Sequence, residues 1–149
     1  MFFVDDDVVT MVFTDDERML LGQIPRLLHD IDTAVGDPGY EVLHRAIYRD
    51  DPDASRELED LVASDRWEMR SSDRQIVERV GQGVATMTRQ EARGFLRSLN
   101  EARLVVAARA GAFESGPGWE EMVPADRSLA AVAWLGYVQA DLIQALSVE

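Results

Sequence analysis

Carboxylates are the most abundant reactive groups in this chain: 28 Asp and Glu stand against 15 basic residues and 2 histidines, with no cysteine. The missing thiol removes disulfides, thiolate metal sites and cysteine nucleophiles together. The acids do not converge on a catalytic or metal-binding pattern. His29 and His44 have no second histidine or cysteine at ligand spacing, as a zinc site would need. Asp5-Asp6-Asp7 reads as a solvated turn, and Asp50-Asp51-Pro52-Asp53 lacks the glycine and terminal glutamate of a calcium loop. No serine sits in a glycine elbow. Gly81-x-Gly83 neither follows a strand nor carries the third glycine of a dinucleotide loop. The expectation is therefore no catalytic residues, no metal and no cofactor.

Two arginine ladders come next, Arg66, Arg70 and Arg74, then Arg89, Arg93 and Arg97. Like charges one helical turn apart repel, so each ladder wants anionic neighbours. A chain this rich in carboxylates supplies them internally, which predicts a salt-bridged surface; an acidic partner or nucleic acid is the alternative.

The third feature is polar residues set in apolar stripes. Arg103 falls on the same helical face as Ala92, Phe95, Leu96, Leu99, Ala102, Val106 and Ala110, with Asn100 one turn before it. Gln139 lies among Val132, Gly136, Ile143 and Leu146 of a later helix. A guanidinium in such a stripe keeps its charge and must find partners. Asn100, Arg103 and Gln139 are thus predicted to share one polar network, either a structural knot or a pocket for a carboxylate or phosphate. In the structural version Arg103 is buried between the central and last helices, touching Gln139 and paired with a carboxylate near Glu57 to Asp60.

These residues must be positioned by helices. Thr88 with Glu91 forms a capping box and Gly111 closes the same segment, so 88–111 reads as the central helix of the fold. Residues 1–13 read as a β-hairpin around the three aspartates. Thr14 with Glu17 opens a second capped helix that Pro25 must kink or split, ending by Gly36 and turning at Asp37-Pro38-Gly39. A short helix follows over 40–49. Asp51 and Pro52 then start a short acidic helix, and Ser64-Asp65 caps the next, whose helical spacing runs through Val84 and Met87. Residues 111–123 read as a loop, and Pro124 or Asp126 begins a last helix to about Ser147. The prediction is mainly α: a single domain over 1–149, a compact helical bundle with a short N-terminal β-hairpin, a helical core over 14–110, and a C-terminal helix within 124–149.

The last helix is apolar almost all round. One arc carries Leu129, Val132, Leu135, Gly136, Leu142, Ile143 and Leu146, and the other still shows Trp134, Tyr137 and Val138. Those three are the candidate interface for a homodimer or a protein partner. The competing arrangement has the hairpin covering this side.

Composition bounds the function further. A formal net charge of −13 disfavours direct binding to nucleic acid or anionic membrane. No run approaches the roughly 18 apolar residues of a membrane span. The acidic start MFFVDDDVV lacks the basic n-region of a secretory signal, so a cytoplasmic protein is expected.

The segment LNEARLVVAAR at 99–109, the Trp134-Leu135 pair followed by Gln139, and the stretch Ala46-x-Tyr48-x-Asp50-Asp51 resemble the AosR-like family of actinobacterial oxidative stress regulators. The resemblance spans most of the chain and implies a non-enzymatic cytoplasmic regulator that binds protein partners. Genes of that family commonly lie near those of the Clp protease adaptor and of cysteine biosynthesis. Redox-responsive members use a cysteine pair, and this chain has none. Partner binding is what the resemblance leaves in place, with stress-linked transcriptional regulation as its setting. A small-ligand-binding protein or enzyme built on Asn100, Arg103 and Gln139 is the alternative.

Overall fold

The computed structural model describes residues 1–48, 56–111 and 127–147, with the side chains of 46–48, 56–66 and 127 outside the description. The chain opens with a hairpin, β1 (Phe2–Asp5) and β2 (Val8–Met11), paired antiparallel so that Phe2 faces Met11 and Asp5 faces Val8. Asp6 makes the turn with a φ of 55°, a left-handed conformation that Asp tolerates better than most side chains. Alternation does the rest: Phe2, Val9 and Met11 point inward, while Phe3, Val8 and Val12 face solvent.

Thr14 and Glu17 form the expected reciprocal capping box at α1 (Asp15–Gly22). Pro25 splits the segment rather than kinking it: α1 stops, Gln23 links, and α2 (Ile24–Ile31) restarts with Pro25 in its first turn. α2 ends at Ile31, before Gly36. Asp37 then accepts a hydrogen bond from the Gly39 N–H at 2.7 Å as α3 (Pro38–Tyr48) begins, so Pro38 and Gly39 are the first turn of a helix and not a free turn.

Two helices expected on either side of Ser64-Asp65 are one, α4 (Arg56–Gly81), because its apolar spacing continues through that pair and a cap is only a preference. The expected start at Asp51 and Pro52, the acids as side chains from Glu57 to Asp60, the loop beyond Gly111 and the start at Pro124 or Asp126 lie outside the described residues.

Helical spacing predicts that α4 runs on to Met87, but the helix ends at Gly81. Gly83 adopts a φ of 112°, and Thr86–Thr88 forms β3, pairing antiparallel with β2 (Val9 opposite Met87) in a sheet ordered β1-β2-β3. Met87 keeps helical spacing by coincidence. Its neighbours are threonines, which favour the pleat.

Thr88 then ends the strand and caps α5 (Arg89–Arg109), whose capping box with Glu91 is present as expected. Gly111 closes the helix with a φ of 72°. α5 packs against α3, α4 and α6 (Arg127–Ser147) and beneath the sheet, and among the described residues Phe95 is the largest side chain wholly enclosed. Phe2 meets Phe13 and Phe95 edge-on, with ring centroids 5.5 and 6.3 Å away, tying the sheet to the helices. The protein is thus mainly α with an N-terminal hairpin. Contrary to the reading of its sequence, α6 over Ser128–Ser147 is long and apolar enough to cross a membrane by length and composition. Here Leu129, Val132, Leu135, Val138 and Leu142 are buried, and 33% of the apolar window lies inside the molecule.

Candidate functional site

Arg103 and Gln139 do meet: Nη1 of Arg103 donates to Oε1 of Gln139 at 3.2 Å, joining α5 to α6, and Gly136 lies directly under the guanidinium. Gln139 is buried at 8% exposure. Two parts of the expected network are corrected. Arg103 is only half-buried, and the acids from Glu57 to Asp60 expected to pair with it lie outside the described side chains. Asn100 is exposed and takes no part. The buried arc of α5 is centred on Phe95, Leu99 and Ala102, so Arg103 borders it and Asn100 lies about 60° further out, at 100° per residue.

The buried charges lie elsewhere, on the first arginine ladder. Arg74 clasps Asp32 with both terminal nitrogens, at 2.6 and 3.1 Å. Arg70 reaches the same Asp32 at 3.2 Å and donates through Nε to Glu101 at 2.9 Å. Glu101 also lies 3.9 Å from Arg74. Two guanidinium groups on α4 are therefore held between Asp32, just past α2, and Glu101 on α5. Burial works against the charge on Arg70, but the hydrogen bond and charge of Glu101, with Asp32, more than offset it and hold its pKa above the ordinary value. Next to this cluster Arg97 makes a two-point pair with Asp73 at 2.8 and 2.9 Å, and Asp73 is 4% exposed.

The ladders were expected to be salt-bridged at the surface. The pairing is found, but that of Arg70 and Arg74 is interior. Arg66 lies outside the described side chains. Of the second ladder, Arg89 donates to the backbone carbonyls of Asp6 and Leu146, pinning the hairpin turn and the end of α6 to the start of α5, while Arg93 is exposed.

A small cavity of about 180 Å³ opens beside the cluster, walled by Ile31, Tyr40, Leu43 and Trp67. Tyr40 and His44 stack there at 5.6 Å, and Arg74 lies over Trp67 at 5.8 Å. Two cations face two anions, so the charges of the cluster balance and it can fix helix register. Among the described residues no three His, Asp or Glu come close enough together to hold a metal ion.

The proposed interface on α6 divides. Tyr137 is 61% exposed and Trp134 partly so, but Val138 is fully buried, which corrects its assignment. Val138 follows Tyr137 by about 100° and falls within the arc of Leu135 and Leu142. β1 of the hairpin packs against α6, so the hairpin covers part of this side. Trp134 leans toward α1, where its Nε1 donates to Glu17 at 3.3 Å.

That tilt forms one wall of the larger cavity, an open groove of about 700 Å³ between α1, α2, α5 and α6. Leu20, Ile24, Leu27, Val106, Trp134 and Leu135 line it, so its surface is mostly apolar. Arg26 and Asp30, one turn apart on α2, add opposite charges. This site is not legible in the sequence, because its walls come from three separate stretches; the local signal is Leu20, Ile24 and Leu27 recurring at helical spacing.

A family model described as a domain of unknown function, DUF2017, matches residues 2–146. No curated protein and no solved structure matches the chain. The match runs from the first strand of the hairpin to the end of α6 and takes in the ionic cluster and the groove alike, so the chain belongs to the DUF2017 family.

Proposed function

We propose that this protein is a non-enzymatic cytoplasmic regulatory module that acts by binding another protein, in a setting such as stress-linked transcriptional regulation. The groove carries the reading. An open apolar channel of about 700 Å³, with Leu20 49% exposed on its wall, is surface that a protein keeps dry only by covering it. The AosR-like resemblance supports the same reading from the sequence side. Without a cysteine pair, any regulation here runs through occupancy of a partner site and not through a disulfide. The competing ligand pocket around Asn100, Arg103 and Gln139 lacks comparable support, since neither cavity is lined by these residues.

Cross-linked affinity capture from the cells of origin tests this reading against a metabolite thermal-shift screen on the same protein. One protein recovered at near-stoichiometric yield, with a flat screen, is the expected result. No specific partner, together with a metabolite that raises Tm, would overturn it; a ligand present at about 100 times its Kd adds about 2.7 kcal/mol.

A further inference from the structure

We propose that the groove between the α1 and α2 pair and the α5 and α6 pair seats one amphipathic helix of a partner protein. That helix is net basic and sets an acidic side chain against Arg26 and a basic one, a turn away, against Asp30. The inference rests on the protein-binding reading above and names the chemistry of its partner.

The floor of the groove favours apolar side chains. Ile24 and Leu135 are buried, while Leu27 and Trp134 are partly buried and Leu20 stands half-exposed. An apolar stripe at i, i+3, i+4 and i+7 is what such a channel accepts from a helix.

The charges choose among occupants. Arg26 and Asp30 are both exposed, both line the groove, and neither is hydrogen-bonded or ion-paired within the described structure. Helix residues four apart lie about 5–6 Å apart at Cβ. A fatty acid placing its carboxylate on Arg26 would thus set it within reach of Asp30, and an amphipathic amine would meet Arg26 in the same way. A helix with an acid and a base one turn apart satisfies both.

A second copy could also cross Arg26 with Asp30, but each copy carries a formal charge of −13. Like charge on both partners opposes self-association and steers a basic segment inward. The observations therefore favour a different chain of opposite charge.

The test uses two synthetic helical peptides of about 18 residues, five turns. Each has a leucine stripe and several outward lysines; they differ only in whether the bordering pair runs Glu then Lys or Lys then Glu. Anisotropy with the full chain is expected to show one order binding about tenfold more tightly, about 1.4 kcal/mol. The exposed double variant Arg26→Asp with Asp30→Arg should invert that preference. Leu20→Glu, at a half-exposed wall position, should abolish binding of both while circular dichroism stays unchanged.

Equal affinity for the two orders, no inversion, or no binding at all would overturn the assignment. So would a dimer by light scattering that Leu20→Glu dissociates, which gives the groove to a second copy. Dodecanoate raising Tm where neither peptide binds would give it to a small ligand. Cross-linked capture separates this inference from the broader reading. If wild type and Leu20→Glu recover the same protein, partner binding stands and the groove assignment falls; if neither recovers one and the peptides do not bind, both fall.

Discussion

Asp32 holds two guanidinium groups at once, from Arg74 at 2.6 Å and Arg70 at 3.2 Å, with its side chain only 12% exposed. Removing it leaves both cations facing Glu101 alone in a site that water reaches poorly. Asp32→Ala is therefore expected to cost about 3 kcal/mol in urea unfolding, the range for breaking one member of a buried pair. Arg109 and Asp37 pair at 3.2 Å near the surface, with 40% of the arginine side chain exposed. Arg109→Ala should cost less than about 1 kcal/mol. Equal losses in the two variants would show that the interior cluster contributes no more than a surface contact. The first ladder was legible in the sequence as a demand for anions. Which acids answer was not legible, because Asp32 lies 42 residues before Arg74 and Glu101 31 after Arg70.

Where α1 meets α4, two glycines let the backbones touch. A Cβ on Gly81 would stand 2.7 Å from the Gly22 Cα and 3.0 Å from its nitrogen, both backbone atoms that cannot swing aside. A Cβ on Gly22 would find nothing nearer than the Gly81 Cα at 3.9 Å, an ordinary contact. Gly81→Ala should thus lower stability by about 1–3 kcal/mol, as overpacking does. Gly22→Ala should be neutral or slightly stabilising, since alanine suits a helix better than glycine. Thermal melts of the pair decide it: similar Tm changes would mean that the close crossing is not the constraint. At this scale the capped helices were readable, because Thr14 with Glu17 and Thr88 with Glu91 carry their own hydrogen-bond partners three residues away. β3 was not. Three residues hold no periodicity, and Thr86–Thr88 becomes a strand only because β2 offers it a free edge.

Across the whole molecule, the acid limb of stability follows from its carboxylates. The backbone N–H of Thr14 holds Glu17 below the usual carboxylate pKa, and that of Thr88 does the same for Glu91. The hydrogen bond from Arg109 lowers Asp37. A carboxylate whose pKa falls on folding adds stability that is fully present above its unfolded pKa, about 4, and is lost as pH drops through the folded value. Urea midpoints should therefore be level near neutrality and decline below about pH 4.5. Glu17→Gln with Glu91→Gln keeps an acceptor in each capping box but removes the titration. The double variant should decline less steeply, and an identical acid limb would place the sensitivity elsewhere.

The mainly α fold, the hairpin, the capped starts of α1 and α5 and the absence of thiol chemistry followed from the sequence, because each is written in residues within one turn of each other or in composition. Arg103 meeting Gln139 was also readable, since both polar groups interrupt apolar stripes. The tertiary structure alone decided that Asn100 faces solvent and that Val138 faces the core. A position's face is set by where neighbouring helices lie, and one residue's rotation of about 100° carries a side chain across that border. It alone decided, too, that the buried charges are Asp32, Arg70, Arg74 and Glu101. The groove between α1, α2, α5 and α6 belongs with these, for a concave surface is a property of packed helices and of no single stretch of chain.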